Sequence, residues 1–136
     1  MDQKSGMPQR TGMDQRVILI VEDNQVNLLI LRAMLRKRGY EPVVAMDGAE
    51  GVEMTERHRP RLVLMDLEMP RLDGLAAAAE IGRRLNGSAP PIVAVTANAS
   101  EDVRASCRAA GFADVLTKPI AFDALIATVE RYVGAA

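Results

Sequence analysis

Residues 61–74 read RLVLMDLEMPRLDG. Four apolar residues, Leu62, Val63, Leu64 and Met65, lead straight into Asp66, and the chain then turns through Pro70 and Gly74. An unbroken apolar run of this length, bounded by turn residues, suits a strand covered on both faces. Ending such a strand on a carboxylate is unfavourable unless something pairs with the charge. The reading of the chain therefore turns on what else the sequence places beside Asp66.

Working outward, the same alternation recurs along the chain. VILIVE (17–22) is an apolar run ending in acid, and VNLLILRAMLRKRG (26–39) is apolar at helical spacing, with basic residues in its last turn and Gly39 as the stop. EPVVAM (41–46) is a short β-branched run, followed by the amphipathic GAEGVEMTERH (48–58). RLVLMD (61–66) is the third strand, and DGLAAAAEIGRRL (73–85) is an Ala-rich helix with Asp73 as N-cap. PIVAVT (91–96) precedes EDVRASCRAAG (101–111), which Ser100 caps; ADVLT (113–117) precedes FDALIATVERYV (122–133). Five strand–helix repeats predict an α/β fold, a parallel sheet with helices on both faces and right-handed crossovers. Residues 1–16, MDQKSGMPQRTGMDQR, mix polar residues with Gly, Pro and Met without periodicity and read as a flexible lead-in to one domain over 17–136.

The bulk numbers fit that picture. The 136 residues suffice for one domain, with 49% apolar and 26% charged residues. A net charge of −1 gives no reason to expect a nucleic-acid or membrane surface. The lone Cys107 cannot form an internal disulfide and suits a reducing compartment; without a signal peptide or a spanning apolar run, the expected location is cytoplasmic.

In open parallel sheets, functional groups gather beyond the carboxyl ends of the strands. There the sequence places Glu22 and Asp23, Asp66, Thr96, and Thr117 with Lys118. Clustered carboxylates repel, and a divalent cation reverses that penalty. Mg²⁺ prefers hard oxygen ligands, taking one or two carboxylates together with phosphate oxygens, so Glu22, Asp23 and Asp66 form a suitable set. His58, the only histidine, falls at a helix end, so zinc is not expected. A carboxylate can attack a phosphoryl group, and Lys118 and Thr96 would supply positive charge and a hydrogen bond to it.

These residues resemble the receiver domain of bacterial two-component response regulators. The resemblance covers residues 17–133 and rests on VEDN (21–24), LMDLEMPRLDG (64–74), VTANA (95–99) and LTKPI (116–120), in family order. VEDNQVN and VTANA are most similar to receivers of hybrid histidine kinases and their stand-alone relatives. The resemblance implies a flavodoxin-like (βα)5 sandwich with strand order 2-1-3-4-5. It makes Asp66 the phosphoacceptor and Glu22 and Asp23 the acidic pair for Mg²⁺, or Mn²⁺ in its place. Asp66 and the backbone carbonyl of Glu68 complete the metal ligands. Thr96 becomes the switch hydroxyl and Lys118 the contact to the phosphoryl group, with a cis bond at Lys118–Pro119. Glu68 and Asn98 stand at positions that border the phosphoryl group. The implied partners are a sensor histidine kinase or histidine phosphotransfer protein and a downstream protein, not a nucleic acid or a membrane.

One position departs from the family. An aromatic residue commonly stands three places before the lysine; here it is Val115, with Phe112 three places earlier still. The helix over 26–39 also carries more apolar residues than one buried face needs, so Leu28 or Leu29 is expected to face outward as a partner site. The expected function is a single-domain response regulator that receives a phosphoryl group from phosphohistidine and supports its own phosphorylation and dephosphorylation. A receiver excised from a hybrid kinase and a phosphorylation-independent interaction module are the alternatives. A haloacid-dehalogenase-like phosphatase would need a second Asp where Glu68 stands.

Overall fold

A computed structural model of the chain describes residues 17–69 and 72–134. The lead-in expected over 1–16 and the turn expected at Pro70 lie outside the described residues. Ten elements alternate: β1 (Val17–Val21), α1 (Gln25–Lys37), β2 (Glu41–Ala45), α2 (Gly48–His58), β3 (Leu62–Asp66), α3 (Gly74–Leu85), β4 (Ile92–Thr96), α4 (Glu101–Ala109), β5 (Asp114–Thr117) and α5 (Phe122–Val133). The strands form one parallel sheet in the order β2-β1-β3-β4-β5, as the sequence and its resemblance led us to expect.

Strand alternation sorts the core into two layers, because successive side chains point to opposite faces. Leu19, Val21, Val63, Met65 and Ala94 pack with Val52 of α2, Ala77, Ala78, Ile81 and Leu85 of α3, and Cys107 of α4. Ile18, Ile20, Leu62, Leu64, Val93 and Val95 pack with Leu28, Leu31 and Leu35 of α1 and Leu125 and Val129 of α5. All five residues of β3 and all five of β4 are buried, so the centre of the sheet is dry up to the carboxylate of Asp66.

The helix starts are fixed by short polar caps. Asn24, Asp47, Asp73 and Ser100 each accept a hydrogen bond from a backbone N–H of the turn they open. Arg36 and Lys37 close α1, where cations suit the helix dipole, and Gly39 follows with a positive φ of 86°.

The expectation that Leu28 or Leu29 faces outward is met by Leu29. Leu28 is buried, at 6% exposure, while Leu29 is exposed at 59%, with Val26 and Ile30 beside it. Leu28 shares a stripe with Leu31 and Leu35, three and seven residues on, and that stripe faces the sheet.

Two glycines of α3 set opposite expectations. A Cβ at Gly74 would lie 2.5 Å from the Asp66 carbonyl oxygen and 2.8 Å from Leu67 Cα, both backbone atoms, whereas one at Gly82 would meet nothing within 4 Å. Gly74→Ala is therefore expected to destabilise the fold by about 1–3 kcal/mol through overpacking. Gly82→Ala is expected to stabilise it by about 1 kcal/mol through helix propensity. Denaturant unfolding of the two variants checks both signs.

Candidate functional site

The order of the sheet creates the site. β1 and β3 are neighbours, but the helices that follow them cover opposite faces. A crevice opens where the connections diverge, beyond the carboxyl ends of these strands. Glu22 and Asp23 follow β1, Asp66 ends β3, Thr96 ends β4 and Lys118 follows β5. The five residues expected to act together are thus delivered to one edge by four strands.

The carboxylates of Glu22, Asp23 and Asp66 each offer an oxygen within 4.8 Å of the others. Glu22 and Asp66 are buried, at 1% and 2% exposure, and Asp23 is exposed. Lys118 Nζ lies 3.3 Å from Asp66 Oδ2 and 3.5 Å from Glu22 Oε1. The other oxygens are held by backbone donors. The Glu68 N–H donates to Asp66 Oδ1 at 3.0 Å, and the Asn24 N–H donates to Glu22 Oε2 at 3.2 Å. The peptide bond between Lys118 and Pro119 is cis, as expected.

Electrostatics mark the cluster as unusual. Burial, and then the neighbouring Asp66, push the Glu22 carboxyl up to about 7, and the Asn24 N–H and Lys118 offset only part of that rise. Burial works against the charge on Lys118, yet the Asp66 and Glu22 carboxylates outweigh it and its pKa is raised. Glu22 Oε1 is buried and makes no hydrogen bond; its ion-pair contact is Lys118 Nζ at 3.5 Å. A buried oxygen held only by so long a contact is under-satisfied, and a hard cation is the kind of group it suits. One lysine against three carboxylates leaves negative charge for a divalent ion to neutralise. The donor set, all oxygen and partly orphaned, fits Mg²⁺.

Thr96, expected as the switch hydroxyl, is hydrogen-bonded to the loops around it. It is fully buried, and its Oγ1–H donates to Glu68 Oε2 at 2.8 Å. The same oxygen accepts from the Asn98 N–H at 3.0 Å. Asn98 Oδ1 then accepts from the Ser100 N–H at 3.0 Å, and Ser100 caps α4. The Thr96–Glu68 bond spans 28 residues of sequence and was not anticipated. The available signal was the position of Glu68, two residues beyond the end of β3, beside the end of β4.

Val115 lies within β5 and packs, half-buried, against the layer containing Cys107 and Phe112. Phe112 is buried just before the strand begins. The aromatic that usually accompanies the threonine is thus absent from its place. Burial pushes the Cys107 thiol pKa up, so the thiol behaves as a small core residue. Among the described residues, no helix is long and apolar enough to cross a membrane.

Known proteins match this arrangement. The chain is 43% identical over 120 residues to the transcriptional regulatory protein PdtaR of Mycobacterium tuberculosis; the match takes in 88% of this chain and 57% of that protein, so the chain spans little more than half of the relative's length. The receiver domain of the Pseudomonas aeruginosa sensor histidine kinase PA1611, solved with a magnesium ion coordinated in its active-site cleft, superposes with a TM-score of 0.81 at 42% identity, covering 88% of this chain and 98% of that one. The receiver domain in the Saccharomyces cerevisiae Ypd1–Ssk1 complex superposes with a TM-score of 0.82 at 31% identity, covering 86% and 88%. The family model for the response regulator receiver domain matches residues 18–130, and the chain belongs to that family.

Proposed function

We propose that this chain is a phosphorylation switch, a response regulator in which Asp66 accepts a phosphoryl group from phosphohistidine. The observation that carries the reading is the set of three carboxylates within 4.8 Å of one another, one of them in ion-pair contact with Lys118 at 3.3 Å. A carboxylate oxygen of Asp66 attacks phosphorus, the P–N bond breaks, and its electron pair stays on the imidazole nitrogen. The products are an aspartyl phosphate and a free histidine. Glu22, Asp23, Asp66 and the Glu68 backbone carbonyl would hold Mg²⁺, or Mn²⁺ with its similar preference for oxygen. That ion supplies neutralisation of the negative charge on the transferring group. Lys118 supplies the second positive charge, 3.3 Å from Asp66 Oδ2. The backbone N–H of Glu68, donating to Oδ1, orients the carboxylate. Thr96 provides the hydroxyl that turns to the phosphoryl group once it arrives. The same residues would support hydrolysis of the acyl phosphate when water reaches it.

The donor side of the reading rests on α1. Val26, Leu29 and Ile30 are exposed at 65%, 59% and 48%. Of these, Ile30 also lines a groove of about 230 Å³, with Glu22, Asn27, Leu31, Lys118, Pro119 and Ile120. An apolar helix face beside the reactive carboxylate suits a helical partner presenting its histidine. The yeast neighbour was solved in complex with a histidine phosphotransfer protein, which supports a donor of that type or a sensor histidine kinase. Such exchange takes place in the cytoplasm, and a downstream protein then reads the altered surface.

Three outcomes test the proposal. Wild-type protein incubated with acetyl phosphate and Mg²⁺ is expected to gain one phosphoryl group by intact mass; Asp66→Ala, or wild type with EDTA, is expected to gain none. Lys118→Ala is expected to slow phosphorylation by roughly 10²-fold, the scale for losing one preorganised charge at such a site, in a quenched time course. Val26→Asp with Leu29→Asp is expected to slow transfer from a phosphorylated histidine phosphotransfer protein while leaving the acetyl phosphate rate unchanged. Equal loss with both donors would reject α1 as the docking face.

A further inference from the structure

A hydroxyl has one proton to donate. In this structure the proton of Thr96 goes to Glu68 Oε2 at 2.8 Å; the alternative acceptor, the Asn98 carbonyl oxygen, lies farther off at 3.3 Å. The bond to Glu68 is charge-assisted and joins the loop after β3 to the end of β4. Resting on the phosphoacceptor reading above, the geometry leads us to infer that Glu68 is a positioning residue, a latch that competes with the phosphoryl group for the Thr96 hydroxyl.

The competition follows from placement and charge. Asp66 and Glu68 are joined through the Glu68 N–H to Asp66 Oδ1, at 3.0 Å. A phosphoryl group on Asp66 would bring close to two negative charges into this neighbourhood. That group repels the Glu68 carboxylate and offers Thr96 stronger acceptors. Glu68 has somewhere to go: its side chain is exposed, at the edge of a groove of about 280 Å³ lined also by Leu67, Asp73, Leu75, Asn98, Asp102 and Val103, and the two acids there turn it outward to solvent. Thr96 is fully buried, and its oxygen accepts from the Asn98 N–H, so Asn98 moves with it. Phosphorylation therefore releases Glu68 to solvent and draws Thr96 inward. Asn98, Ser100 and the first turn of α4 follow through the bonds Asn98 N–H to Thr96, Ser100 N–H to Asn98 and Val103 N–H to Ser100. The latch acts on equilibrium: it holds the threonine in its resting place and raises the threshold for the switched state.

The test is a double-mutant cycle read by affinity for beryllofluoride with Mg²⁺, a mimic of the carboxyl phosphate, titrated by NMR on the full chain. Removing the acceptor with Glu68→Ala is expected to tighten binding by about tenfold, the scale of one hydrogen bond to a charged group. In a Thr96→Val background the same substitution is expected to tighten it clearly less, leaving only the relief of direct repulsion. In a Thr96→Ser background, which keeps the hydroxyl, the full gain should return; this arm stands if the valine variant does not fold. Glu68→Gln, a neutral acceptor, should fall between wild type and alanine. Equal gain with and without the hydroxyl, or no gain at all, overturns the latch while leaving the phosphoacceptor reading intact. Wild type that takes no beryllofluoride overturns that reading, and the latch with it.

Discussion

Two carboxylates taken out of water at the end of a dry sheet, Glu22 and Asp66, set the terms for everything around them. Two like charges within 4.8 Å of each other repel by at least about 3 kcal/mol at an effective dielectric near 20, a sizeable share of a domain's net stability. The protein meets this in three ways visible in the geometry. Glu22 holds its proton to about pH 7, chiefly because it is buried. Lys118 bridges the pair, and its charge is stabilised in return. Backbone N–H groups of Asn24 and Glu68 solvate the remaining oxygens. None of these removes all the charge, and Glu22 Oε1 has only the long ion-pair contact to Lys118 and no hydrogen bond. The site is incomplete on its own, the physical state expected of a protein that takes up a hard cation.

Much of this was legible in sequence because it follows from period and position. Runs such as RLVLMD and PIVAVT are apolar without alternation, which only a doubly covered parallel sheet explains, and the element ends fall within about two residues of those expected. The site residues could be named because each stands where a strand stops. What escaped the sequence are contacts between loops. The long side chain of Glu68 reaches Thr96 across two connections, and no period encodes that meeting. The outward residue of α1 lies between these cases. The spacing of Leu28, Leu31 and Leu35 marks the buried stripe, but the surplus of apolar neighbours obscured it until the helix was seen against the sheet.

The small residue at Val115 changes how a signal can leave the site. With no aromatic there to swing, the threonine is left with the ladder of polar contacts from Thr96 through Asn98 and Ser100 to the start of α4. Each rung is a backbone N–H held by a side-chain oxygen. Such a ladder has little slack, so a shift of the hydroxyl is passed to the helix as a displacement of backbone. Beneath it, Phe112 and Cys107 lie in the core layer against which Val115 packs.

The two layers of the core have a consequence for traffic. Alternation along β1, β3 and β4 gives α1 and α5 one side of the sheet and α2, α3 and α4 the other. The apolar face of α1 and the polar ladder into α4 therefore stand back to back, separated by the thickness of the strands. Under the proposed function, a donor seated on the first would leave the second uncovered. The sheet is a partition wall with the acidic cluster at its rim, reached from both sides.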